Sequence, residues 1–294
     1  MAASSATPLF IFYRGILSSC QYSCHYCPFA KKKDTRATLQ KDALQLERFV
    51  NWVSTQTRPI SILFTPWGEV LIRAYYRKAL LRLATLPHVY RVAVQTNLHV
   101  PLSWLKDAPA GKLALWCSYH PSQTHLAEFL NRCRILRKFN IPHSVGMVAV
   151  RENFADIQAM RQSLPAQTYL WLNANNDMGP HYYLPGEIEQ LTRIDPWFPY
   201  SVHQRASAGC PCHAGENAIT VDGSGQVTRC QFLRKPLGNL YRDELKDICT
   251  ERQCTRRMCD CYIGYAMRKD FPFIEQFGQG VLARIPEMWL SGQM

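Results

Sequence analysis

The stretch that decides the fold runs Leu9-Phe10-Ile11-Phe12-Tyr13-Arg14-Gly15-Ile16-Leu17-Ser18-Ser19-Cys20-Gln21-Tyr22-Ser23-Cys24-His25-Tyr26-Cys27. Leu9 to Tyr13 is an unbroken apolar and aromatic run, which reads as a buried strand. Three cysteines follow it directly, spaced C-x3-C-x2-C. With 12 cysteines in 294 residues, roughly 0.02 such matches are expected by chance. Three thiolates on one tight loop can hold three irons of a four-iron cube and leave the fourth open. The plainer alternative is a zinc knuckle. Structural zinc takes four ligands, and His25 would make an awkward fourth from inside so tight a loop.

Five more strand candidates follow: Ser61–Phe64, Val89–Gln95, Leu113–Cys117, Ser144–Val150 and Tyr169–Leu172. Amphipathic helical patterns separate them, such as Leu46, Phe49, Val50 and Val53, or Leu126, Phe129, Leu130, Cys133 and Leu136. Strand–helix repeats of this kind predict an α/β fold with a parallel sheet and right-handed crossovers. Asn, Gly and Pro punctuate Asn175–Pro185, which reads as a linker. Beyond it, Ala218–Val221, the turn Asp222-Gly223-Ser224-Gly225 and Gln226–Cys230 read as a β-hairpin.

The chain carries 34 Lys+Arg against 22 Asp+Glu, a net charge of +12. A balance of 47% hydrophobic and 19% charged residues excludes a disordered or collagen-like chain. No apolar run approaches the roughly 18 residues that span a bilayer, so a cytoplasmic protein without a membrane partner is expected. Cysteines in such a protein stay reduced and point to metal or redox chemistry. Two four-iron clusters, with about −1 and −2 of charge, would still leave the chain basic.

The triad, with aromatic Tyr26 before its third cysteine, resembles the signature of the radical S-adenosylmethionine superfamily. The resemblance implies a partial (βα)6 barrel with a [4Fe–4S] cluster on Cys20, Cys24 and Cys27. Its open iron would bind S-adenosylmethionine. One electron, from a donor such as flavodoxin or ferredoxin, would cleave that cofactor to a 5′-deoxyadenosyl radical that abstracts hydrogen from substrate.

Ligands in parallel α/β folds sit at the carboxyl ends of the strands. There strand two gives Pro66-Trp67-Gly68-Glu69, which looks like the family's Gly-Gly-Glu element with Trp67 in place of the first glycine. Gly68 would expose backbone to the methionine ammonium, and Glu69 would hold the loop or the ammonium. Strand three ends in Thr96-Asn97, which could instead cap a turn. Strand four ends in Ser118-Tyr119-His120, strand five in Arg151 and strand six in Asn173. Tyr26 resembles a family position at the cofactor, Ser118 and Arg151 resemble positions that contact its carboxylate or ribose, and an Arg suits a carboxylate. His120 reads as a substrate contact or a solvent-facing histidine. Cys117 and Cys133 read as small buried hydrophobes.

Seven of the 12 cysteines lie between Cys210 and Cys261. Cys212, twelve residues, Gly225, four residues and Cys230 form a run similar to the opening of SPASM and Twitch auxiliary-cluster domains. The resemblance implies one auxiliary [4Fe–4S] cluster on Cys212, Cys230, Cys259 and Cys261, with Cys254 as the replacement. A four-thiolate zinc site is the alternative. The domain reading is 1–180 barrel, 181–205 linker, and 206–294 a cysteine-rich hairpin-plus-helix domain with its tail. Further matches, among them Cys27-Pro28-Phe29-Ala30 and Cys259-Asp260-Cys261, resemble a bacterial radical SAM subfamily without an assigned substrate. By analogy with SPASM/Twitch relatives the substrate is a peptide or small molecule. The basic charge keeps tRNA or rRNA modification as the alternative, and a non-catalytic iron–sulfur or zinc protein is a third reading.

Overall fold

A computed structural model describes residues 8–27, 29, 32–179, 181–203 and 205–290. Pro28 and Ala30 of the quoted motif lie outside the described residues. The barrel strands are β1 (Leu9–Arg14), β2 (Ile60–Phe64), β3 (Val89–Thr96), β4 (Leu113–Ser118), β5 (His143–Val148) and β6 (Leu170–Asn173). They pair in parallel in that order, as the strand–helix repeats require. Crossovers run through α1 (Arg36–Ser54), α2 (Ala74–Thr85), α3 (Leu126–Lys138) and α4 (Phe154–Ser163). Between β3 and β4, flanked by Pro101 and Pro109, the chain makes only a short 3₁₀ turn, Ser103–Asp107.

After β6 the chain continues through α5 (Pro185–Thr192), α6 (Phe198–Val202), β7 (Arg205–Ala206), β8 (Ala218–Asp222), β9 (Gln226–Thr228), β10 (Pro236–Asn239), α7 (Leu245–Ile248) and β11 (Met258–Cys259). It closes with α8 (Tyr262–Tyr265), α9 (Phe273–Phe277), a 3₁₀ turn over Gly278–Ala283, and α10 (Glu287–Leu290). Alternation along the barrel strands divides their side chains between two cores. Leu9, Ile11 and Tyr13 join Leu46, Phe49, Val50 and Val53 of α1 on the helix-covered face. Phe10, Phe12, Leu63, Trp116 and Trp171 point to the opposite face. That second face is covered by the C-terminal segment from α8 to α10.

The boundaries drawn from sequence differ from this arrangement in two places. The expected linker, 181–205, contains α5 and α6 and buries Leu191, Phe198 and Val202 in the main core. The hairpin of β8 and β9 continues the barrel sheet instead of opening a separate one. β8 pairs in parallel with β1, giving the order β10-β9-β8-β1-β2-β3-β4-β5-β6. The cause is the open edge of β1, whose unpaired backbone groups take up a further strand.

Candidate active site

The triad loop leaves β1 at its carboxyl end and is tied down at every step. Gly68 and Glu69 donate their backbone N–H groups to Leu17 O (3.2 Å) and Ser19 O (3.1 Å). A Cβ on Gly68 would sit 2.2 Å from Ser19 O, so only glycine allows this approach. Asp34 accepts from Ser18 N (3.0 Å), Ser19 N (2.7 Å) and Ser19 Oγ (2.5 Å). Burial pushes its carboxyl up, but the Ser19 and Ser18 donors outweigh this and leave it below the usual carboxylate range. Arg73 donates to Ser19 Oγ at 2.8 Å. Asp42, buried on the apolar stripe of α1, accepts from Ile16 N at 3.0 Å and Tyr75 Oη at 2.9 Å. Sequence reading missed both aspartates. Asp42 carried a signal, a charged residue one turn before Leu46 on the core-facing side; Asp34, in a charged loop, carried none.

Glu69 holds the loop. One carboxylate oxygen accepts from Leu71 N (3.0 Å) and Thr96 Oγ1 (2.8 Å), and the other from Asn97 N (2.7 Å). Burial raises its pKa, and these three donors oppose the rise. Asn97 continues the chain of contacts, accepting from Gln21 Nε2 (2.8 Å) and donating to Cys20 Sγ (3.6 Å). Thr96 and Asn97 thus connect Glu69 to the first cysteine rather than simply capping a turn. Alanine at Gly68 is expected to displace Ser18–Cys20 and destabilise the protein by about 1–3 kcal/mol, because the added Cβ meets backbone that cannot yield. A denaturation midpoint equal to that of wild type would show that the loop tolerates the shift.

Cys20, Cys24 and Cys27 line one open concavity of about 330 Å³ with Tyr22, Asn97 and His120. The Cys24 thiol is pushed up to about 11 by burial and by its neighbours Cys27 and Cys20. Burial likewise raises the Cys20 thiol, and a cation would relieve the repulsion among thiolates crowded on one loop as it displaces their protons. Among the described residues, no three His, Cys, Asp or Glu side chains gather tightly about one point. Tyr26 Oη lies 2.8 Å from His120 Nδ1, with the rings stacked at 5.7 Å. Burial lowers His120 to about 4, so the ring is neutral at pH 7 and belongs to the cavity wall. Beside the triad, exposed Phe29 and Trp67 pack edge to face at 4.7 Å, and the Arg14 guanidinium lies 4.3 Å from the Trp67 centroid.

Other strand-end residues divide. Ser118 closes β4, buried, and Asn173 closes β6, half-buried, both at the mouth. Arg151, expected at the cofactor's carboxylate or ribose, instead makes a two-point ion pair with Glu187 (2.9 Å) and donates to Tyr182 O (2.5 Å). The cause is α5, which brings a carboxylate to its guanidinium. Cys117 and Cys133 are fully buried in the main core.

A second concavity, about 380 Å³, is lined by Cys210, Cys212, Cys230, Cys254 and Cys259. Antiparallel pairing of β7 with β11 brings the two ends of this region together, and Cys254 N donates to Cys210 O at 3.4 Å. Burial pushes the Cys259 thiol up to about 12, aided by Cys230 and Cys212. Cys261 does not line this space. It caps α8, and its Sγ accepts from Gln231 Nε2 at 3.5 Å on the side of Arg14. The strand β11 ends at Cys259, and the chain bends at Cys261 into α8, so Cys261 no longer follows the strand that aims Cys259. Cys249 packs against the main core. Cys254, which the sequence reading named as the replacement, and Cys210 line the concavity with Cys212, Cys230 and Cys259, and Cys261 does not.

No family model and no curated protein matches the chain. Solved structures do. The chain is similar to histidine-tagged anSMEcpe with bound AdoMet (15% identity, 82% of this chain and 77% of that one, TM-score 0.54). It is similar to native anSMEcpe with AdoMet and the Cp18Cys peptide (14%, 82% and 80%, 0.53). Streptococcus suis SuiB bound to S-adenosylmethionine aligns at 13% identity over 82% of this chain and 65% of that one, TM-score 0.52. Together with the largely parallel sheet and the cysteine loop after β1, these likenesses give the chain the partial-barrel fold of radical S-adenosylmethionine proteins.

Proposed function

We infer that the protein is a radical S-adenosylmethionine enzyme. The observation that carries this reading is the triad: three thiols around one open concavity at the carboxyl end of β1, held by the Gly68–Glu69 edge. When bound, a [4Fe–4S] cluster and S-adenosylmethionine supply reductive one-electron cleavage for hydrogen abstraction from substrate. Cys20, Cys24 and Cys27 would hold the cluster. The protein's own part is geometric. Glu69 and Asn97 fix the loop, Tyr26 and His120 wall the concavity, and Phe29 with Trp67 offers apolar surface beside it. A peptide or small molecule is the substrate class, supported by the peptide-bound anSMEcpe structure that shares the fold. An electron donor such as flavodoxin or ferredoxin would complete the system. No described helix is long and apolar enough to cross a membrane.

The C-terminal thiols fit one auxiliary [4Fe–4S] cluster, since four thiolates close a cube and five line the concavity. The set supported by geometry is Cys212, Cys230, Cys254 and Cys259, with Cys210 beside them.

The test is anaerobic reconstitution with dithionite and S-adenosylmethionine. 5′-Deoxyadenosine should accumulate, and fully iron-loaded protein that releases none would overturn the reading. Replacing Cys212 and Cys230 together by alanine should lower iron from about eight to about four per chain while cleavage continues. Loss of about one zinc with no loss of iron would assign the C-terminal site to zinc instead.

A further inference from the structure

Three arginines, Arg229, Arg256 and Arg268, line the C-terminal cysteine concavity. Two have carboxylate partners: Arg268 pairs with Asp270 at 2.5 Å and Arg256 with Asp260 at 3.3 Å. Arg229 does not form an ion pair among the described residues. It is only 5% exposed, its Nη1 donates to Gln253 O, and its Nη2 is buried without a hydrogen-bond partner. Burying a guanidinium without counter-charge carries a desolvation penalty that normally selects against such an arrangement. The site is nonetheless built for it. Its stem packs over Gly215, whose φ of +89° and 3.0 Å clearance from an added Cβ to Arg229 Cγ leave no room for another side chain. Arg229 also directly precedes Cys230, so the hairpin that delivers the thiol delivers the charge.

We propose that Arg229 is the fixed counter-charge of the C-terminal cysteine site and raises the reduction potential of the cluster held there. The proposal rests on the auxiliary-cluster reading. A cube with four thiolates carries about −2, and taking one electron from the reductant brings it to about −3. A permanent cation facing the concavity in a low-dielectric setting favours the more negative form. Arg229 acts on the site's electrostatics and not on the reacting atoms, so it is a positioning residue.

The experiment uses full-length protein with Cys20, Cys24 and Cys27 replaced by alanine, so that the C-terminal site holds all the iron. Iron content and the reduced-cluster EPR signal are followed through a redox titration. Arg229→Met is expected to lower the reduced-to-oxidised ratio at fixed potential at least tenfold, about 59 mV for one electron. Arg229→Lys, which keeps the charge, should stay within threefold of its parent. A titration of Arg229→Met that superimposes on the parent, with iron intact, overturns this proposal and leaves the auxiliary cluster standing. A parent without a four-iron signal overturns both. Should Arg229→Met lose its iron, retention by Arg229→Lys and loss by Arg229→Gln would still establish the counter-charge. Loss in Arg229→Lys as well would refute it.

Discussion

Replacing Cys20, Cys24 and Cys27 together by alanine is expected to remove about four irons per chain and abolish 5′-deoxyadenosine formation. The effect should be complete because nothing nearby can substitute. Cys117 and Cys133 are sealed in the main core, and burial pushes the Cys133 thiol up to about 12, far from a thiolate ligand at neutral pH. Of the side chains lining the concavity, only His120 could coordinate metal after the change, and its Nδ1 is engaged by Tyr26. The loop itself should survive, since Asp34, Gly68 and Glu69 hold it through backbone groups that the substitutions leave in place. Iron analysis, visible absorbance and chromatography of the cleavage products check this. Continued cleavage by the triple variant would mean that the triad does not carry the chemistry.

Phe273→Ala is expected to destabilise the protein by about 3–5 kcal/mol. That is a large share of the roughly 5–15 kcal/mol by which domains are stable. Phe273 is 1% exposed and stands at the centre of the aromatic cluster covering the second face of the sheet. Its ring centroid lies 5.3 Å from Trp197, 5.1 Å from Tyr200, 5.3 Å from Tyr265 and 5.5 Å from Phe277. Alanine would leave a cavity that rings fixed on four sides cannot close. Phe273→Leu should recover more than half of the loss. Chemical denaturation followed by circular dichroism measures the difference, and an unchanged midpoint would show the cluster to be peripheral. Phe273 lines neither cysteine concavity, so folded protein should bind iron as wild type does.

What was legible in the sequence is what local chemistry dictates. Unbroken apolar runs between helical periods specify a parallel sheet, because a strand covered on both faces has no polar side to show. C-x3-C-x2-C specifies that three thiols share one loop, whatever surrounds it. The Asp222-Gly223-Ser224-Gly225 turn specifies the hairpin, and the structure forms it between β8 and β9. The strand-end positions of Thr96, Asn97 and Ser118 also follow from where the apolar runs stop.

Tertiary structure decided the rest, and in each case the deciding contact joins residues far apart in the chain. That β8 joins β1 depends on which sheet edge is open, a property of no single segment. The segment after Tyr262 shows little periodicity, because its short helices are shaped by the concave face of Phe10, Phe12, Trp116 and Trp171 that they cover. Glu69 was legible as a polar residue at a strand end, but its three donors from Leu71, Thr96 and Asn97 come from two different strands' loops. Arg151 looked free to meet a carboxylate until α5 supplied Glu187. Among the C-terminal thiols, spacing alone could not separate Cys210 from Cys261. The pairing of β7 with β11 did so, setting Cys210 and Cys259 along one concavity, while Cys261 lies beyond the strand, where the chain bends into α8.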